Sequence, residues 1–300
     1  MNRQLWIVVI GLASFGVAQA AEEIELFRAS KAGDKAWVWD SAQAKLVDGK
    51  LLLRLKDGAG ESGNAYVADR FPYFPNARVA VAVAEVRKGD YTIQILGFSN
   101  NQHVAHANLV ANSTETGKRQ FELKTAGLAP GIDQVMLKVW VGGASDAAVV
   151  LDELAFTLPL DGFVAEMDER FEHLSLWDNE SLVVTNSETG PVISLKPGTS
   201  YGSIRCLHRI KKSDGMTVLF NIARAESADA TLQVVAFDKD GTYLKSLDAL
   251  KNIREGWHST SLNLPGLPPE TAEFEFKLWV GGAASATMRL GRLLVIRPTQ

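Results

Sequence analysis

Apolar side chains recur at every second position along most of the chain. Val79, Val81 and Val83 alternate with alanines, Ile93 and Ile95 flank Gln94, and Val135, Leu137, Val139 and Val141 alternate with Met136, Lys138 and Trp140. The rhythm returns at Val218, Phe220 and Ile222, at Leu232 and Val234, and at Phe274, Phe276, Leu278 and Val280. A period of two over short runs predicts half-buried antiparallel strands, because successive strand side chains leave on opposite faces. Turn residues separate the runs: Lys88-Gly89-Asp90, Ser99-Asn100-Asn101, Asp238-Lys239-Asp240-Gly241 and two Gly-Gly pairs. No long amphipathic helix is expected; Asp248 to Arg254 has room for at most a short one.

The pattern also repeats as a whole. Lys138-Val139-Trp140-Val141-Gly142-Gly143-Ala144 reappears as Lys277-Leu278-Trp279-Val280-Gly281-Gly282-Ala283, 279−140=139 positions on. The register holds without a gap from Val79/Val218 to Leu154/Leu293 and carries Asp90/Asp229, Thr92/Thr231, Gln94/Gln233 and Phe98/Phe237. A match this long predicts two copies of one domain, each larger than a solenoid repeat. The expected units are residues 21–158 and 163–300, joined by Thr157–Gly162, where Pro159 and Gly162 break the strand pattern. A unit of ~140 residues can bury a core of its own. Many short strands in each predict an all-β fold of two tandem antiparallel β-sandwiches.

Residues 1–20 read as an export signal, with Arg3 as the positive end, an apolar stretch from Leu5 to Val17, and Ala18-Gln19-Ala20 as a small-x-small cleavage site. That stretch is shorter than the ~20 residues a membrane span needs, and no later segment reaches that length. A periplasmic or secreted protein with no membrane span is expected. The formal charge is 31−35=−4, and 30−35=−5 once Arg3 is removed with the leader. Mild acidity argues against nucleic acid, which calls for a basic footprint. One cysteine, Cys206, leaves no intrachain disulfide and reads as a small buried apolar residue.

If Val135, Leu137, Val139 and Val141 point inward, Met136, Lys138 and Trp140 point outward. The same parity turns out Glu275, Lys277 and Trp279, and adds Gln94 and Gln233. The preceding segment pairs Arg70 with Arg209 and Tyr66 with Arg205, while outward Ala80, Ala82 and Ala84 predict a shallow trough. An indole beside an amide and long cations suits a sugar ring. The pyranose C–H face stacks on the ring while Gln, Lys and Arg bond hydroxyls or a carboxylate. The candidate ligand-binding residues are therefore Trp140, Lys138, Gln94 and Arg70, then Trp279, Lys277, Gln233 and Arg209. Two cations per site suit an acidic or sulfated polysaccharide. The same parity equally serves structure: indoles covered by lysine methylenes, amides tying loops, or two polar faces buried against each other or a protein partner. Trp37, Trp177 and Trp257 are expected in the core or at its rim, with Trp257, next to Gly256, the most exposed.

Catalytic signatures are sparse. His103-x-x-His106 sits in an Asn-rich stretch and reads as a solvated loop rather than a metal pair. Glu166-Met167-Asp168-Glu169 offers the two carboxylates a glycosidase needs, yet falls at the junction, where a solvated charge run is expected. No catalytic residue and no organic cofactor is expected.

Phe27 and Trp39-Asp40, echoed by Phe171 and Trp177-Asp178, resemble the first strands of the galactose-binding-like jelly rolls of non-catalytic carbohydrate-binding modules. Val149-Val150-Leu151-Asp152-Glu153-Leu154 resembles that family's last strand. The resemblance implies jelly-roll sandwiches in an exported, non-catalytic polysaccharide-binding protein. It also implies a structural calcium at Asp152 in the first unit alone, since Gly291 stands at the matching place in the second. The superfamily includes modules that bind protein or lipid. A structural or protein-interaction accessory of a surface or export system is therefore the alternative, with a polysaccharide lyase or hydrolase behind it.

Overall fold

The computed structural model describes residues 22–32, 37–68, 70–100, 102–171, 177–187 and 190–299. The leader expected at residues 1–20 lies outside them, as do the side chains of Trp177 and Asp178. The first half contains β1 (Glu23–Arg28), α1 (Ala29–Ala32), β2 (Trp37–Trp39), β3 (Ala42–Val47), β4 (Lys50–Leu55), β5 (Ser62–Val67), β6 (Phe71–Pro72), β7 (Arg78–Arg87), β8 (Asp90–Ser99), β9 (Gln102–Ser113), β10 (Gly117–Glu122), β11 (Gln134–Gly142) and β12 (Ala148–Pro159). The second contains β13 (Phe163–Glu169), β14 (Trp177–Glu180), β15 (Leu182–Ser187), β16 (Gly190–Leu195), β17 (Tyr201–Cys206), β18 (Ile210–Lys211), β19 (Thr217–Phe237), β20 (Tyr243–Ile253), β21 (Gly256–Ser261) and β22 (Glu273–Pro298). No helix among the described residues is long and apolar enough to cross a membrane.

In the first half two antiparallel sheets face each other. One runs β10-β7-β12-β4-β3 with β1 beside β12; the other runs β2-β5-β11-β8-β9 with β6 beside β11. The alternating residues do what their period dictates. Val79, Val81, Leu53 and Phe156 from one sheet meet Ile93, Ile95, Val135, Leu137 and Val139 from the other in one buried cluster. The second half repeats the plan with longer strands. β19 and β22 each pass through both layers, bending at Glu226–Ala228 and near Gly282, where the pairing register shifts. In the first half the same path is cut into β7/β8 and β11/β12. Gly89, at φ +65°, makes that corner, and a Cβ there would strike the carbonyl oxygen of Gly142.

The connector is shorter than the sequence suggests. Thr157 to Pro159 belong to β12, so only Leu160–Gly162 link it to β13. Leu160 N donates to Glu22 O at 2.8 Å, and Phe163 N to Leu160 O at 3.0 Å. The halves then pack together through the outward side of the β19/β22 layer. Leu219, Leu294 and Ile296 are buried within the first half's core cluster, alongside partly buried Phe163 and Trp257. Each such burial is worth roughly 1.5–3 kcal/mol as an upper figure. Trp257, expected at the core or its rim and as the most exposed of its group, is partly exposed where Trp37 is buried, and donates its Nε1 to Glu25 O at 3.1 Å across this junction. Among the described residues, Trp39, on the edge strand β2, is the most exposed indole at 37%.

Three other expectations are refined here. Asp248 to Ile253 is strand, not helix, and pairs with β19. His103 and His106 stand on β9 rather than in a loop, their rings 6.4 Å apart. Asp168, read as part of a solvated run, forms a two-pronged ion pair with Arg292 at 2.7 and 2.8 Å; Arg292 also reaches Glu22 at 2.9 Å.

Candidate functional site

On β11, Val135, Leu137, Val139 and Val141 are buried, and Met136, Lys138 and Trp140 stand on the other side, partly exposed. On β22, Phe274, Phe276, Leu278 and Val280 are buried, and Lys277 and Trp279 are partly exposed on the other side. The neighbouring strands match too. Lys138 lies between Tyr66 of β5 and Gln94 of β8, and Lys277 between Arg205 of β17 and Gln233 of β19. Trp140 and Trp279 lie beside Thr92 and Thr231. The junction uses the opposite layer, so neither indole is covered by the sister half's core.

Within this shared frame the two indoles are posed differently. Trp279 donates Nε1 to Gln233 Oε1 at 2.7 Å, carries the Lys277 ammonium 4.2 Å from its ring centroid, and has the Tyr201 ring 5.9 Å away. A cation so placed over an exposed indole contributes ~0.5–1 kcal/mol. Trp140 instead folds along its own strand, its benzo ring over Gly142, where a Cβ would collide with Cζ2 and Cη2. Lys138 places Nζ 5.5 Å from the Tyr66 centroid, and burial pulls its ammonium below the usual lysine range.

Both amides are tied across strands. Gln94 Nε2 donates to Asn108 Oδ1 and Gln233 Nε2 to Asp248 Oδ1, each at 2.7 Å. Arg70 and Arg209 occupy matching places but lie apart from the indoles. Their guanidinium carbons sit 3.8 Å over Phe98 and 3.6 Å over Phe237. Phe98 pairs with Gln134, six residues before Trp140, so each face extends ~20 Å from arginine to indole. The outward alanines belong elsewhere: β7 is in the other layer, and Ala84 lines a cleft of about 440 Å³ with Leu52 and Val150, facing away from Trp140.

Glu275 is the residue that parity alone misplaced. It is only 3% exposed, because Arg205 closes over it in a two-pronged ion pair and Arg209 approaches at 3.5 Å. Tyr201 was also missed. Its counterpart by register is Ser62, so attention to shared positions passes over it. Asp152 is paired with Lys50 at 2.8 Å, and the described residues hold no group of three or more His, Cys, Asp or Glu side chains able to take a metal.

No family model and no curated protein matches the sequence. Among solved structures, the chain is similar to the CBM22-1–CBM22-2 tandem domain of Paenibacillus barcinonensis Xyn10C, at 10% identity and TM-score 0.31, over 94% of this chain and 99% of that one. It is also similar to the enzymatically active domain of tailspike protein 4 of bacteriophage CBA120, at 14% identity and TM-score 0.31, over 42% and 20% of the two chains. A third, the glycoside hydrolase domain of Endo-D from Streptococcus pneumoniae R6, aligns at 13% identity and TM-score 0.28, over 75% and 36%. Superpositions this loose carry no functional argument, and the chain is described by its own geometry: two antiparallel β-sandwiches in tandem, each with an indole and a lysine on an open face.

Proposed function

We propose that this is an exported, periplasmic or secreted protein that binds polysaccharide without cleaving it, one face per half. The observation that carries the reading is the repeated Trp-Lys-Gln set, in the same register on the side of each sandwich left open by the junction. Sugar C–H faces stack on the indoles, and the lysines and amides bond hydroxyl or acidic groups. Two weak sites on one chain gain avidity on a repetitive polymer. A protein partner is the second reading, favoured by Val38, 59% exposed and opposite Tyr66 at the edge of the first face. Retardation in polysaccharide-loaded gels separates the two. The wild type slows in at least one polymer, and a Trp140→Ala/Trp279→Ala double variant with an unchanged melting temperature runs free. A wild type retarded by no polymer overturns the carbohydrate reading.

A further inference from the structure

The two faces share a lysine and an arginine and differ in carboxylates. Lys138 matches Lys277, and Arg70 matches Arg209. Beside them the second face carries Glu273, Glu275 and Asp248. The first face has Gln134 and Met136 at the matching β11 positions (273−139=134, 275−139=136). It has Asn108 where Asp248 stands, each bonded to the equivalent glutamine. Three carboxylates are thus replaced by three neutral side chains.

The consequence is a difference in local charge. On the second face Glu275 takes Arg205 and Arg209, and Glu273 lies 3.8 Å from Arg209. Arg205, Arg209, Lys277 and Lys251 stand there with Glu273, Glu275 and Asp248, the last paired with Lys251 at 3.2 Å. On the first face Lys138 reaches no carboxylate among the described residues; its ammonium faces the Tyr66 ring. The acids nearest by register are Asp40, Asp90 and Asp133. Asp40 is opposite Asn64, two strands across and two residues along from Lys138, or ~12 Å; Asp90 is opposite Gly142, four residues or ~13 Å along; and Asp133 is engaged by Asn100 N at the other end. A half-buried ammonium without a counter-ion loses hydration and gains no opposite charge in exchange. Asn64, opposite Trp140, and Gln94 add neutral donors and acceptors around it.

We propose that the first face is an anion-selective subsite in which Lys138 takes the carboxylate or sulfate of an acidic polysaccharide, while the second face receives neutral sugar. This rests on the carbohydrate reading above. Trp140 supplies the stacking surface, and Lys138, two residues along the same strand, meets the acidic group of the same or the next sugar.

Affinity electrophoresis of the full chain through polygalacturonate, dextran sulfate and a neutral β-glucan tests it, the first two separating carboxylate from sulfate. Lys138→Met and Met136→Glu, the latter importing the carboxylate of the second face, are expected to weaken retention in whichever acidic gel holds the wild type by at least about tenfold. Lys118→Met, which removes an exposed cation on β10 in the opposite layer, is expected to leave that retention unchanged. All three variants are checked for an unaltered melting temperature. Acidic-gel retention that survives both first-face substitutions overturns the proposal, as does a wild type held by neutral glucan alone, and in that case the carbohydrate reading stands. A wild type held by none of the three counts against the carbohydrate reading itself.

Discussion

The benzo ring of Trp140 lies in the space that a side chain on Gly142 would fill. The matching pair is looser: the atoms nearest a Cβ on Gly281 are Asp229 Oδ1 at 3.5 Å and Ser200 O at 3.8 Å, and Trp279 has turned toward Gln233. The glycine in the first half therefore sets the pose of an indole, and the one in the second half does not.

Gly142→Ala is accordingly expected to push Trp140 off its strand, changing near-ultraviolet circular dichroism and weakening polymer retention several-fold. Gly281→Ala is expected to leave both unchanged. Gly142 has no positive φ, but a Cβ there would also come within 3.0 Å of Glu61 O, so the melting temperature is followed alongside to separate an effect on the indole from one on the backbone.

Lys138 is held at a cost. Burial lowers its pKa in the folded state, so over the window between that value and 10.5 the unfolded chain binds the proton more tightly. Unfolding free energy then rises with pH through the window, and below it the cost of the buried charge is present in full. Lys138→Met is expected to keep or raise the melting temperature at pH 7 and to flatten this alkaline rise in calorimetry. A clear drop in melting temperature at pH 7 contradicts the assignment.

Cys206 is buried, and desolvation pushes its thiol up to about 11. The thiolate that alkylating reagents need is therefore scarce at neutral pH. Iodoacetamide is expected to leave the native protein unmodified over hours and to label it fully in denaturant. Because the folded pKa is raised from 9.0, this group's contribution to stability is complete below pH 9.0 and is lost as pH rises toward about 11.

At the junction, burial alone would raise the Asp168 carboxyl, but the hydrogen bonds and charges of Arg292 and Arg170 hold it below its ordinary 3.8. Arg292 is only 15% exposed and is shared between Asp168 and Glu22. Asp168→Asn is expected to cost about 1–3 kcal/mol at pH 7. The folded pKa is depressed, so the contribution is complete above 3.8 and is lost as pH falls through the folded value. The stability curves of the wild type and of the Asp168→Asn variant should therefore converge on acidification, as followed by urea unfolding at pH 7 and pH 3.

Much of the fold was legible because a strand's period of two is a local signal. Val135 to Val141 and Phe274 to Val280 declare their inner side residue by residue, and the shared glycines declare the corners. Elements containing register shifts were harder to read. β19 and β20 slip between Ala230 and Gln233, so Leu247, Leu250 and Ile253 lose alternation and mimic a helical spacing. A shift at Gly97/Phe98 likewise hides β9 and its two histidines. The junction had left a mark that went unused. Leu293-Leu294-Val295-Ile296 is an unbroken apolar run, the pattern of a strand buried on both faces. At the site, parity placed Trp140, Lys138, Trp279 and Lys277, but the burial of Glu275 depends on Arg205 and Arg209, which arrive from strands distant in sequence. Parity within one strand has no access to such a cross-strand ion pair.

The most direct test follows the indole N–H resonances of the nitrogen-15-labelled protein as a retained oligosaccharide is added. Trp140 and Trp279, assigned through their alanine variants, are expected to shift with saturation, while Trp37 in the core and Trp257 at the junction stay in place. Shifts confined to Trp257, or an unmoved spectrum in the presence of a polymer that retards the protein, would contradict binding at the two open faces.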